Sequence, residues 1–420
     1  MTSLAADQDS ILFVRTVEIP DIPNLLNLLP AEGGLAWING LATNQMGIIG
    51  WGEVARCSFN GPERFSRAQR WWSQKCLSSI GDKPIAFASF AFDKDPGTSV
   101  LVIPQVAVTR SPTGTRLTVA GNVAISDAQI SEVIDEINVP HVMSQGFNNI
   151  TWLPGSRPVS EWQSSVDTAV ARINSGELDK VVLARDIVAQ LDEPIHIGAL
   201  LIRLNESFPE CWTFCVDGLV GSTPELLIRR DGERVTSRVL AGTMRRSRDT
   251  DRDGQLAAEL LDSDKDQEEH VYAVESVAAA LATHCTDLNV PESPFILRLA
   301  NVQHLATDVT GELVDAAPAL ALAASLHPTA AVCGTPTERA SQLIRELEGM
   351  DRGRYSAPVG WLAANGDGEF GIALRCALVE TEDRRTLRLF AGCGIVAGST
   401  GESEVAESQA KFAAMKSALE

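Results

Sequence analysis

Positive charge, paired cysteines and long apolar runs are what this chain lacks, and each absence excludes a class of protein. Its 420 residues carry 35 Lys and Arg against 55 Asp and Glu, a formal net charge of −20. That deficit argues against unaided binding to DNA, RNA or an anionic membrane, though local basic groups and a metal can still hold an anionic small substrate. The 8 cysteines (Cys57, Cys76, Cys211, Cys215, Cys285, Cys333, Cys376 and Cys393) form no Cys-x-x-Cys pair, and the 6 histidines are dispersed. A zinc ribbon or finger is therefore disfavoured. No stretch reaches the ~18 uninterrupted apolar residues of a membrane span. The segment Met1 to Ser10 lacks the basic region and apolar core of a secretory leader. Neither a strand–GxGxxG–helix unit nor a Walker A loop is present, so nucleotide binding has little support. The expectation is a reduced, soluble, cytoplasmic protein with no nucleic-acid, membrane or obligatory protein partner.

What is present suits a large folded enzyme. Hydrophobic residues make up 45% and charged ones 21%, ordinary for a globular chain, and the length allows two or three domains or one large α/β unit. Pro84–Asp93 and Ser99–Pro104 read as strands around a Pro-Gly turn. Trp162–Ile173 has helical spacing, with Ser160 as its expected N-cap and Gly176 beyond its end. Lys180–Val188 reads as a buried strand, and Cys211–Val216, Leu226–Arg230 and Arg234–Leu240 as further strands. A long helical tract spans 250–285. Trp361–Ala363, Glu369–Val379 and Thr386–Ile395 form an expected closing antiparallel set, and a last helix begins near Glu402. Strands with hairpin turns and helices between and after them favour a large α/β domain over a parallel Rossmann sheet.

Two acid pairs stand out. Asp266 and Glu269 lie three apart on one helical segment, and Glu404 and Glu407 three apart on another, so each helix can present two carboxylates on one face. If the faces meet, the oxygen cluster calls for a hard divalent cation that keeps positions open for an anionic substrate. Lys180 and Glu225 each begin an apolar strand. Lys180 is either a structural pair or a desolvated amine able to act as a base, and Glu225 either a satisfied strand-end carboxylate or a buried acid that stays protonated. Leu240-Ala-Gly-Thr243 is a tight turn or a place for close ligand approach. Arg375, a charge inside an apolar run, needs an internal or a substrate anion. Lys411 can pair with Glu407 along the helix. His304 and His327, each judged alone, read as structural.

Taken in order, these segments resemble the chorismate-utilising enzymes, and among them the isochorismate synthases. The motifs are Leu-Asp-Lys-Val-Val-Leu-Ala-Arg (178–185), Gly-Ser-Thr-Pro-Glu-Leu-Leu (221–227), Leu-Ala-Gly-Thr (240–243), Lys-Asp-Gln-Glu-Glu-His (265–270) and His-Leu-Ala-Thr (304–307). They continue with Leu-His-Pro-Thr-Ala-Ala-Val-Cys-Gly-Thr-Pro (326–336), Ile-Ala-Leu-Arg-Cys-Ala (372–377), Phe-Ala-Gly-Cys-Gly-Ile-Val (390–396) and Glu-x-x-Glu-x-x-x-Lys (404–411). The match runs from about 155 to the C-terminus; upstream it rests on the Phe-Ala-Phe-Asp strand.

The resemblance implies an α/β (α+β) fold: one catalytic domain over 1–420, weakly matched over 1–150 and motif-bearing over 155–420, with two pseudo-symmetric β-sheet units flanked by helices. It implies Mg2+ held directly by Glu269 and Glu407, with Asp266 and Glu404 in the outer shell, and chorismate as substrate. Lys180 matches the base that activates water for attack at C2, and Glu225 the acid that protonates the departing C4 hydroxyl. Gly242, Gly392, Arg375 and Lys411 match contacts to substrate carboxylates, and His304 a residue beside the ring. The implied activity is isomerisation of chorismate to isochorismate for menaquinone or siderophore synthesis, with salicylate synthase as the alternative. Lysine at 180 favours water over ammonia as nucleophile, and Ala241 stands where some aminodeoxychorismate synthases place a nucleophilic lysine. Gln267-Glu268 and Cys393 depart from the usual pattern, the latter beside a carboxylate contact.

Overall fold

The apolar run that starts at Lys180 forms a long strand, Lys180–Leu191, paired antiparallel along most of its length with Thr386–Ile395. β-branched and aliphatic side chains fill both faces of this ladder, as a doubly covered strand requires. The computed structural model describes residues 11–30, 33–95, 97–137, 149–380 and 382–420. Met1 to Ser10, read above for a leader, and Pro96 of the expected Pro-Gly turn lie outside these. Among the described residues the strands make two sheets, one of 13 strands and one of 10. The smaller sheet has its own long antiparallel ladder, Arg234–Arg245 against Val302–Leu313.

The N-terminal third is woven into both sheets. Leu35–Asn39 pairs with Trp212–Val216 in the larger, and Ile85–Ser89 with Pro358–Ala363 in the smaller. Side chains from the two sheets meet between them, with Trp37, Phe214 and Phe390 of the larger packing near Phe87, Leu226 and Val359 of the smaller. Each such fully buried apolar side chain contributes roughly 1.5–3 kcal/mol. Among the described residues no helix is long and apolar enough to cross a membrane.

Three expectations need correction. The helix of Trp162 runs Val159–Asn174 with Pro158 at its N-cap. Ser160 therefore lies inside the first turn, where the preset φ of Pro158 has already fixed the chain direction. The tract 250–285 is two helices, Thr250–Leu261 and Asp264–Leu281, because Ser263 caps the second by accepting from the backbone N–H of Asp266; the residues from Cys285 are a strand. The apolar run 369–379 is likewise two strands. Gly368–Ile372 belongs to the smaller sheet and Cys376–Val379 to the larger. The chain crosses between sheets at Arg375, which adopts φ +46, a left-handed conformation that a non-glycine residue holds only when tertiary packing imposes it.

Candidate active site

The two long ladders and two helices converge on one pocket. Glu225, Gly242, Glu269, His304, Arg375, Gly392, Glu407 and Lys411 line it. Lys180, Asp266 and Glu404 stand just behind that lining. The sequence-selected residues are thus brought together, except His327. That side chain lies among Phe65 and Phe92 and donates from Nε2 to the carbonyl of Phe92 at 3.1 Å. Burial pushes its pKa down to about 3, so it serves as a neutral packing residue.

Gly242 is the extra residue of a β-bulge in the smaller ladder. Ala241 faces Leu305, Thr243 faces His304, and Gly242 itself takes φ +78. The bulge turns the strand toward the helix Asp264–Leu281 so closely that a Cβ on Gly242 would stand 3.1 Å from that of Asp266. Arg375 Nη2 donates to His304 Nε2 at 2.5 Å. A guanidinium cannot accept, so the His304 proton sits on Nδ1, which is 3.2 Å from the carbonyl of Gly242 and 3.0 Å from Thr243 Oγ1. Burial, then Arg375 and Lys411, hold His304 well below its ordinary pKa. The ring is a neutral brace for the guanidinium. Arg375 Nη1 is buried without a protein partner, which suits it to an incoming anion.

The acid wall is built from the two helices. Gly401–Leu419 starts at a Thr400–Ser403 capping box, which directs Glu404 and Glu407 inward. Burial first, then Glu407, lifts the carboxyl of Glu404; burial, with Glu269 and Glu407, lifts Asp266 against the pull of its Ser263 hydrogen bond. Four carboxylates of this kind form a hard-oxygen donor set whose mutual repulsion a divalent cation would relieve, so the residues present fit magnesium. Glu404, Glu407 and the Cys393 thiol offer atoms within 4.8 Å of one another. Glu269 is outside that group, and its Oε1 lies 3.0 Å from Lys180 Nζ.

Lys180 is fully buried and its approach to Glu269 is an ion pair without hydrogen-bond alignment. Burial would raise Glu269, yet Lys180 together with Lys411 and Lys265 outweighs it and the carboxyl sits below its ordinary range. Glu225 behaves oppositely: burial pushes its pKa up to about 8, although Lys180, Lys411 and Arg375 pull the other way. Lys411 bridges Glu407 at 2.7 Å and the carbonyl of Gly392 at 2.8 Å.

Two contributors were not picked out from the sequence. Gly394 has no room for a Cβ, which would collide with Glu269 Oε1 and stand 3.1 Å from Lys180 Cε; the Gly-Cys-Gly spacing inside a strand was the available signal. Tyr355 lines the pocket, stacked on Phe390 with its hydroxyl over Gly392. It had no local signal, since it comes from a loop held by the buried Glu348–Arg352 pair. That pair also satisfies the backbone of Val182 and Ala184 at the edge of the Lys180 strand.

The fold is thus a mixed α/β one of two antiparallel-rich sheets, with an acid-walled pocket between paired ladders. The chain matches the chorismate binding enzyme family over residues 4–420, and it belongs to that family. It is 42% identical over 278 residues to isochorismate synthase DhbC of Bacillus subtilis (strain 168), covering 63% of this chain and 69% of that one. It is 33% identical over 399 residues to isochorismate synthase MenF of the same organism, covering 90% and 83%. Among solved structures, MenF from Escherichia coli, described as the menaquinone-specific isochorismate synthase, superposes with a TM-score of 0.79 at 26% identity, covering 97% of this chain and 95% of that one.

Proposed function

We propose that this protein is an isochorismate synthase that converts chorismate to isochorismate with magnesium bound, residues 1–420 acting as one catalytic unit. The observation that carries the reading is a buried acid kept protonated near neutral pH, Glu225 at about 8, in one pocket with a buried lysine–carboxylate pair. The similarity to relatives named isochorismate synthases supports the same reading.

Lys180 takes a proton from water as the oxygen bonds to C2. The ring double bonds shift, the C4–O bond breaks, and Glu225 gives its proton so that the C4 hydroxyl leaves as water. One water enters and one departs, so the step is reversible with the two roles exchanged. Glu269 and Glu407 would hold the magnesium directly, and Asp266 and Glu404 through its waters. When bound, the ion supplies the positive charge that grips the ring carboxylate and offsets the acid wall. Arg375, Lys411, Gly242 and Gly392 receive substrate carboxylates, and His304 fixes Arg375 beside the ring. Base work by Lys180 requires Glu269 to be engaged elsewhere than on the ammonium, which the ligand role of Glu269 provides.

Incubating the purified protein with chorismate and magnesium and resolving the products by chromatography tests this. Isochorismate is expected. Salicylate with pyruvate would make it a salicylate synthase, anthranilate formed only with ammonia would remove the water nucleophile, and no conversion would overturn the activity.

A further inference from the structure

Three of the four carboxylates on the acid wall each face a lysine of the chain. Lys180 pairs with Glu269 at 3.0 Å, Lys411 with Glu407 at 2.7 Å, and Lys265 with Glu404 at 3.7 Å. The fourth, Asp266, accepts from Ser263 Oγ at 2.5 Å. The three lysines are not held alike. Lys180 is enclosed, and Lys411 is tied down by the carbonyl of Gly392. Lys265 sits on the first turn of Asp264–Leu281 with 44% of its side chain exposed, while its partner Glu404 is 2% exposed. Its pair is the longest of the three, and it joins one acid-bearing helix to the other across the seat.

We propose that Lys265 is a removable counter-ion of the magnesium seat: its ammonium balances Glu404 in the metal-free protein and swings to solvent when the ion binds. This rests on the reading of the four acids as that seat. With three ammonium groups against four carboxylates the wall carries a formal charge near −1. A dication then binds weakly by itself, and binding strengthens when a substrate bearing negative charge arrives with it. Lys265 is the group that can leave at low cost, because its stem already lies in water and only one loose contact is broken.

Titrating magnesium ions alone into wild type, Lys265→Ala and Lys265→Arg by calorimetry, at low and moderate salt and without substrate, tests this. Lys265→Ala is expected to bind magnesium about three- to tenfold more tightly, with the gain shrinking as salt rises, because one nearby positive charge has been removed. Lys265→Arg should bind as wild type or more weakly. Melting temperatures of the metal-free proteins establish that each variant is folded. Unchanged affinity in Lys265→Ala overturns the counter-ion role, and weakened affinity makes Lys265 a strut between the helices instead. Uptake of no magnesium by wild type and Lys265→Ala alike overturns the seat itself, a failure distinct from the other two.

Discussion

Glu225 and Glu269 line one pocket from two walls, the first buried and the second partly buried, and their carboxyls move in opposite directions. On the strand wall, burial pushes Glu225 up to about 8, and nearby Lys180, Lys411 and Arg375 offset only part of that. On the helix wall, burial acts on Glu269 too, but Lys180 at 3.0 Å, joined by Lys411 and Lys265, outweighs it and the group stays below its ordinary range. Among the described residues no cation forms an ion pair with Glu225. Burial raises both, so depth alone does not separate the two. Contact with a cation does, because the attraction between charges in a poorly solvated site grows steeply as they close to hydrogen-bond distance. One wall keeps a proton, and the other keeps a negative charge.

The largest effect is expected at the residue that both walls share. Lys180→Ala removes the proposed base and strips Glu269 of its partner, so turnover should fall about a thousandfold or more while chorismate binding, measured by calorimetry, largely survives. Lost binding would instead make Lys180 an anchor.

Glu225→Gln keeps the volume and removes the proton, and should lower kcat about 10²- to 10³-fold. In the wild type, an acid that must be protonated makes kcat fall as pH rises through about 8. The stability consequence has the opposite benefit. The folded-state pKa of Glu225 lies above its ordinary value of 4.5, so the folded protein binds more protons in that interval and loses stability as pH rises from about 4.5 toward about 8. Near pH 7.5 Glu225→Gln should therefore be more stable than wild type by roughly 2–4 kcal/mol in denaturant unfolding. Equal stability would mean that the carboxyl carries no burial cost, and the contrast with Glu269 would collapse.

The smallest of the three tests the cradle of the other wall. A Cβ at Gly394 would meet Glu269 Oε1, so Gly394→Ala should displace that carboxylate and misplace the proposed magnesium ligand, lowering kcat/KM about ten- to a hundredfold. Wild-type kinetics in that variant would show that the placement of the Glu269 carboxylate is dispensable.

Much of this was legible in the chain. The spacings of Asp266 to Glu269 and of Glu404 to Glu407 placed both acid pairs on helix faces, and Lys180 and Glu225 stood out because a charge at the start of an apolar strand is conspicuous. The crossing at Arg375 was not legible. Ile372-Ala-Leu-Arg-Cys-Ala377 has no Gly or Pro to mark a break, and the strands on either side are equally apolar. Tyr355 was missed for a related reason, since the loop that carries it is held by Glu348 and Arg352 bonding to a strand about 170 residues earlier in the chain.

By itself the sequence determined many of the helices and strands, the acid pairs and the family resemblance, because periodicity and motif spacing are local properties of the chain. The tertiary structure alone decided which acid keeps its proton, which lysine meets which carboxylate, and where Arg375 leaves one sheet for the other. Those outcomes depend on distances of a few ångströms between residues far apart in sequence, and in a desolvated pocket such distances set the charge of every group.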